Sequence, residues 1–356
     1  METLLWSYRV FGFVLALSVL VPLIPSDHWT ARVFDYPRSQ KLFLVGVCVV
    51  MGLFALPIAV SVDHILLVAL VGCAGYLSWL VVPYTPFAAH MVAGAKPAPD
   101  EDPLRLLVCN VLQTNTRYDR MAALVNRRDP DIVLLLETDE AWRKGLHAPL
   151  ERWKHRIEVP LANTYGLLFY SRLPIDHHEV RYLIDSEVPS IVVDIRYRGR
   201  VVRLYGLHPT PPVPQENPES TERDAEVLMV GREAERCPHP VIVFGDLNDV
   251  AWSHTTRLFL RTSGLLDPRR GRGMFNTFHA HYPFLRWPLD HLFVSPHFRL
   301  VDMRIEPGVG SDHFPISMTV VLRGEDDEAA LEATADDRQE VAEKIADGKA
   351  SGDVHA

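Results

Sequence analysis

Apolar residues fall along this chain in two regimes. Before residue 85 they form three long runs, roughly 4 to 25, 42 to 62 and 65 to 83, each near the length of about 20 residues that a helix needs to cross a bilayer. Beyond residue 103 the runs are short, rich in Val, Ile, Leu and Phe, and bounded by polar turns, as in strands buried on both faces. They predict strands over 104–112, 131–137, 164–171, 189–198 and 200–208, then from Val241, from Pro288 to Val294 and at the end of the domain near Pro315. Segments 119–128, 217–236 and 254–263 read as helices, and Arg198-Gly199-Arg200 as a hairpin turn. The alternation of strand and helix points to an α/β domain behind three transmembrane helices.

A cleaved signal peptide is the competing reading of the first run. Arg9 inside it, the lack of a small-x-small site before Pro25 and the two further runs favour an uncleaved anchor. Trp29, Tyr36, Trp79 and Tyr84 lie near the run ends or in the loop beside them, as in an interfacial aromatic belt. Loop 26–41 carries Arg32, Arg38 and Lys41, which the positive-inside tendency places in the cytoplasm, and three spans then put the large domain there too. Asp27 and Asp35 share the loop, so the bias is weak. Residues 86–102 predict a semi-extended linker from which the next domain stands off.

Charge separates the domain from the tail. Of the formal −9, residues 324–356 hold 11 acids against 3 bases, whereas residues 100–323 hold 30 acids against 28 bases. The near-neutral domain argues against tight nonspecific DNA binding, which needs many Lys or Arg contacts to phosphate. The acidic tail carries a few apolar residues at helical spacing, Leu331, Val341 and Ile345, and is expected to be disordered or loosely helical. The four cysteines form neither a disulfide framework nor a metal-type spacing.

Polar residues recur where buried strands end. Val241-Ile-Val-Phe-Gly-Asp246-Leu-Asn248 delivers a carboxylate and an amide two positions apart, on one face of extended chain. Asp and Asn also favour simple turns, so this stretch alone does not decide. Asn110 ends the first strand, and Glu137 closes an all-apolar one, a costly place for a carboxylate unless it is paired or bound to a metal. Hard divalent cations take such oxygen ligands. His208 ends another strand, in His208-Pro-Thr-Pro-Pro212, while Asp290-His291 and Ser311-Asp312-His313 flank the last two. Arg269, Arg270 and Arg272 sit in a glycine-containing loop that either clasps phosphate or is solvated.

Together, Asn110, Glu137, His208, Asp246 with Asn248, Asp290, and Asp312 with His313 resemble the endonuclease/exonuclease/phosphatase superfamily, in the family's order over about residues 103–323. Closer still is the resemblance to bacterial members that place such a domain behind a few transmembrane helices. It implies a DNase I-like four-layer α/β/β/α sandwich preceded by three transmembrane helices, in a multi-pass protein of the bacterial inner (plasma) membrane. It also implies a divalent-metal-dependent phosphoesterase that hydrolyses a phosphodiester or phosphomonoester with activated water. Glu137, aided by Asn110 and Asp312, would hold Mg²⁺ or Mn²⁺. Asp246 would position or deprotonate the water, and Asn248 and His208 would hold phosphoryl oxygens. His313, oriented by Asp290, would act as general acid/base or as a cationic clamp.

Two departures narrow the substrate. Abasic-site endonucleases usually carry Tyr in place of His208 and a polar residue in place of Leu112. His208 fits the DNase and sphingomyelinase pattern better, with Glu187 the candidate carboxylate partner. Substrates left open are a lipid headgroup, a small phosphoester or nucleic acid, with membrane lipid contacted through residues 1–85. A membrane-tethered nuclease and a catalytically idle scaffold are the alternatives.

Overall fold

The computed structural model describes residues 2–55, 62–98, 101–324 and 330–355. The end of the second apolar run (56–61), two linker residues (99–100) and the start of the tail (325–329) lie outside the described residues. The N-terminal runs form helices α1 (Glu2–Leu20), α3 (Arg38–Ala55) and α4 (Val62–Val81), with a short helix α2 (Trp29–Arg32) between α1 and α3. Among the described residues, two stretches, Leu5–Leu23 and Asp63–Tyr84, are long and apolar enough to cross a membrane. The third counts as a span only if Trp29–Asp35 and Arg38–Phe54, bent by 68°, are one element. Many of their apolar side chains face outward, including Phe13, Phe43, Phe54, Ile65 and Val68. Arg9 meets Asp63 through two contacts of 2.6 and 2.9 Å, so the charges that interrupt α1 and α4 neutralise each other.

The remaining elements follow in the order β1 (Leu104–Asn110), α5 (Tyr118–Arg128), β2 (Ile132–Leu136), α6 (Glu140–His147), β3 (His155–Val159), β4 (Leu167–Ser171), β5 (Ile175–Arg181), β6 (Ser190–Tyr197) and β7 (Arg200–Leu207). Then come α7 (Thr221–Glu235), β8 (Val241–Asp246), α8 (His254–Ser263), β9 (Asp290–Val294), β10 (Phe298–Ile305), β11 (Ile316–Leu322) and α9 (Ala335–His355). They make a six-stranded sheet ordered β10-β11-β1-β2-β4-β3 and a five-stranded sheet ordered β5-β6-β7-β8-β9.

Side-chain alternation assigns the layers. Leu106, Val108 and Leu134 of the first sheet face Ile191, Leu204, Ile242 and Phe244 of the second in one central core. The opposite faces of the same strands pack outward, Leu107, Cys109 and Leu135 against α5 and α6, and Tyr205, Leu207 and Val243 against α7 and α8. The result is the α/β/β/α sandwich expected. Strands β3, β5 and β10 carry no apolar run because each lies at a sheet edge with a largely unburied face.

Two expectations fail. The linker does not let the domain stand off: Ala95 N–H donates to the Leu300 carbonyl (2.8 Å), Leu300 N–H to Ala93 (2.9 Å), and Met91 and Val92 enter the core between the sheets. The acidic tail is not disordered over its described part, since α9 packs along α7 with Val341 and Ile345 buried. Its charges find partners on other elements, Asp337 with Arg261 (2.7 Å) and Lys344 with Asp224 (3.3 Å) and Asp27 (3.4 Å). A composition average cannot register partners that other helices supply.

Glu226 of α7 is 3% exposed, and one of its carboxylate oxygens has no hydrogen-bond partner among the described residues. Burial raises its pKa to about 8, against the opposing pull of Arg181. Between the ordinary 4.5 and about 8 the folded chain therefore keeps a proton that the unfolded chain has released. Stability accordingly falls as pH rises through that window, by up to about 1.4 kcal/mol per pH unit. Glu226→Gln is expected to flatten the decline of Tm between pH 5 and 8 for the full chain in detergent; an unchanged decline would refute this.

Candidate active site

Strand register alone gathers most of the site. β1 and β2 run parallel with Asn110 opposite Leu136, so Asn110 and Glu137 leave the sheet side by side. In the other sheet β7 and β8 run parallel with Leu207 opposite Gly245, which places His208 beside Asp246, and Asp246 lies directly opposite Asp290 of the antiparallel β9. β11 runs antiparallel to β1, with Val108 opposite Ile316, so the loop before it brings Asp312 and His313 to the same end. Gly245 is obligatory here: its φ is +144°, and a Cβ would lie 2.0 Å from the Leu207 carbonyl oxygen.

The side chains are then fixed by hydrogen bonds. Asn110 Nδ2 donates to Glu137 Oε1 (2.7 Å) and to Asp246 Oδ2 (3.1 Å). His313 Nδ1 meets Asp290 Oδ2 at 2.8 Å, and its Nε2 lies 3.5 Å from Asp246 Oδ2. Burial opposes a charged His313, but Asp290 and Asp246 outweigh it and raise the imidazole pKa. Asp246 Oδ1 accepts the backbone N–H of Asn248 (3.0 Å), and Asn248 Nδ2 donates to the Pro209 carbonyl (3.0 Å). Leu112, Glu137 and Asn248 all have φ between +50° and +58°, a backbone region costly for such residues and concentrated at functional sites.

Asn110, Glu137, His208, Asp246, Asn248, Asp312 and His313 line one cavity of about 670 Å³. Asp290 stands behind His313, fully buried, with its backbone N–H donating to Thr277 Oγ1 (3.3 Å).

Donor chemistry discriminates between two places for a cation. Asp246, Asp290 and His313 bring ligand atoms within 4.8 Å of one another, yet the imidazole there is already engaged by both carboxylates. Glu137 is only partly buried, it opens into the cavity, and its oxygens accept from Asn110 and from the Gln113 N–H (3.3 Å). Glu137 and Asp312 thus offer the hard oxygens that Mg²⁺ takes. Asn110 presents its amide nitrogen to Glu137 while its Oδ1 accepts the Leu112 N–H (3.1 Å); a half-turn of the amide exchanges the two groups.

Other parts of the site carried no sequence signal. Asn248's carbonyl accepts from Arg223 Nη1 of α7 (2.7 Å) and from the Tyr36 hydroxyl (3.1 Å). Tyr165 tilts over His208 at 5.4 Å between ring centroids. Glu187, the candidate partner of His208, is exposed, and His208 Nδ1 is buried without a hydrogen-bond partner among the described residues. The arginine loop does not reach the cavity. Arg269 is wholly buried against Asp267 (2.7 Å) and His291 (2.7 Å), and Arg272 donates to the Val92 carbonyl (2.6 Å), fastening the linker.

A sequence profile of the endonuclease/exonuclease/phosphatase family matches residues 107–313. The chain belongs to this family. Members of the family are metal-dependent phosphoester hydrolases, and the chain is accordingly a hydrolase of ester bonds. Among curated proteins no relative matches by sequence. Among solved structures, D. rerio TDP2 complexed with single-stranded DNA product aligns at 18% identity over 62% of this chain and 99% of that one, with a TM-score of 0.53. A family protein from Beutenbergia cavernae aligns at 19% identity over 63% and 72% of the two chains (TM-score 0.51). A mannosyl-6-phosphatase from Bacteroides thetaiotaomicron aligns at 19% over 62% and 100% (TM-score 0.50). At such identities the likeness speaks for the fold.

Tyr36 reaches Asn248 through one hydroxyl, so Tyr36→Phe tests whether that contact positions the Asp246–Asn248 turn for turnover. Loss of one hydrogen bond, about 1 kcal/mol, is expected to lower kcat for a soluble phosphoester about fivefold with KM nearly unchanged. An unaltered kcat would show that Arg223 alone suffices.

Proposed function

We propose that the chain is a membrane-anchored phosphoesterase in which residues 103–323 hydrolyse a phosphodiester or phosphomonoester with an activated water. The observation that carries this reading is the position of Asp246 Oδ2, 3.1 Å from Asn110 and 3.5 Å from His313 at the floor of an open cavity. A carboxylate so placed can orient a water and take its proton. Asn248 keeps one amide N–H on Pro209 and has a second for a phosphoryl oxygen. His208 offers another contact to phosphate, and His313, held by Asp290, either gives a proton to the departing oxygen or clamps phosphate as a cation. Glu137 and Asp312, with the side-chain oxygen of Asn110, would hold Mg²⁺ or Mn²⁺. When bound, such an ion polarises a phosphoryl oxygen and neutralises charge that builds up on it.

Residues 1–85 would anchor this site in a bacterial inner (plasma) membrane. Tyr36, before α3, and Tyr84, after α4, share one packed cluster with Trp252, which supports placing loop 26–41 and the domain on one side. The loop's weak positive bias assigns that side to the cytoplasm. A tethered nuclease is the second reading, favoured by the fold shared with a DNA-bound structure. Against it, no Lys or Arg lines the cavity among the described residues, whereas nucleic-acid grooves are lined with cations.

The test uses the full chain in detergent with Mg²⁺, Mn²⁺ or EDTA, against a generic phosphodiester, a phosphomonoester and plasmid DNA. Metal-dependent turnover is expected, with Glu137→Ala and His313→Ala each lowering kcat by about 10²-fold or more. Turnover that survives EDTA and both substitutions would overturn the assignment.

A further inference from the structure

Beside the polar groups at the strand ends, the cavity is lined by Tyr36, Thr164, Tyr165 and Glu216 and by a set of apolar side chains. The apolar side chains come from three separate parts of the chain: Trp29, Val33 and Pro37 from the segment between the first two apolar helices, Val213 from the loop after β7, and Leu285 and Trp287 from the loop before β9. The N-terminal segment is built into the domain rather than resting on it. Trp29 N–H donates to the Pro218 carbonyl (2.8 Å), Ser220 N–H to Asp27 (2.8 Å), and the Trp252 indole to the Asp35 carbonyl (2.8 Å).

The rim continues this apolar surface to the ends of the helices. Gln40, in the first turn of α3, donates to the Phe284 carbonyl (3.1 Å), so the loop carrying Phe284 and Leu285 lies where α3 begins. Phe284 is 87% exposed, and Phe87, just beyond α4, is 94% exposed. Val33 and Leu285, both lining the cavity, are about half exposed. Exposed apolar residues near the ends of apolar helices are suited to a binding or membrane-contacting face, and apolar walls beside a few convergent polar groups describe a ligand site. A free sugar phosphate or a nucleic-acid strand would leave these apolar side chains uncovered, and among the described residues no Lys or Arg lines the cavity to track a polyanion.

Resting on the phosphoesterase reading, we propose that the substrate is a membrane lipid phosphoester. Its phosphate sits at the Asp246–His313 floor, and its hydrocarbon chain lies against Trp29, Val33 and Leu285, reaching the cavity from the bilayer. Hydrolysis joins the water oxygen to phosphorus as one P–O ester bond breaks. One water proton goes to the departing oxygen, and the other stays on the new phosphate hydroxyl. Both acyl glycerophospholipids and isoprenyl phosphates present this chemistry.

The experiment uses the full chain in lipid nanodiscs with Mg²⁺ or Mn²⁺. It compares dioleoyl with dihexanoyl forms of phosphatidate and of phosphatidylglycerol, a C55 with a C5 isoprenyl phosphate, and single-stranded DNA. A long-chain member is expected to exceed its short-chain partner in kcat/KM by about tenfold or more, since each buried methylene contributes to binding, and the series in which this occurs identifies the lipid. Val33→Asp is expected to lower kcat/KM for the long-chain member by about tenfold or more and so remove the preference, whereas the conservative Val33→Leu retains it. Equal rates for long and short chains, a preference that survives Val33→Asp, or preference for DNA would overturn the lipid assignment and leave the phosphoesterase reading standing. Loss of all metal-dependent turnover would instead strike that underlying reading. A readout independent of turnover covers this case: hexadecylphosphonate, but not methylphosphonate, should protect Leu285→Cys from maleimide, measured at that residue by mass spectrometry. Equal labelling in both would refute the chain-binding wall.

Discussion

The carbonyl of Asn248 is the point on which this molecule turns. Asn248 must hold a left-handed backbone (φ +50°) so that its amide and Asp246 both face the cavity, a conformation that persists only when its surroundings over-determine it. Asp246 fastens the Asn248 N–H, Pro209 takes the side chain, and the carbonyl receives Arg223 from α7 and Tyr36 from the N-terminal segment. The Asp246–Asn248 turn is thus held jointly by the sandwich and by the part that precedes it.

That joint is electrostatic as well as apolar. Burial opposes ionisation of Asp224, yet Arg223, Lys344 and Arg32 keep its pKa well below the ordinary value. Those cations come from α7, α9 and the segment after α1, so one fully buried carboxylate ties three separate stretches together. Buried ions in such clusters need every partner, and removal of one leaves charge uncompensated. The same pairing explains why the helix α7, with Glu222, Arg223, Asp224 and Glu226 all buried, does not behave as a solvated surface helix. Similar pairing occupies Arg32 and Arg38, two of the three basic residues of loop 26–41, with Asp27 and Asp35.

The cavity inherits this arrangement. Its strand-end polar groups lie within the region that matches the family, but its walls include residues that lie outside it, Trp29, Val33 and Pro37. The architecture therefore joins a general phosphoester chemistry to a particular entrance, one bounded by the ends of apolar helices.

The sequence by itself determined the α/β class, the central strands and the eight polar groups at their ends. Period-two burial and strand-terminal carboxylates are local features, written in neighbouring residues. Edge strands such as β5 were illegible because half of each is solvated, and the acidic tail read as disorder or a loose helix, rather than as the packed helix it is, because its partners on α7 and α8 are far away in sequence. The arginine loop was ambiguous for the same reason, since only the fold could set Arg269 against Asp267 and Arg272 against the linker. Only the tertiary structure decided that Tyr36 and Arg223 support Asn248 and that the segment between α1 and α3 forms a wall of the cavity. These are contacts between residues up to 212 positions apart, and no local pattern encodes which distant side chain will complete a hydrogen bond or cover an apolar wall.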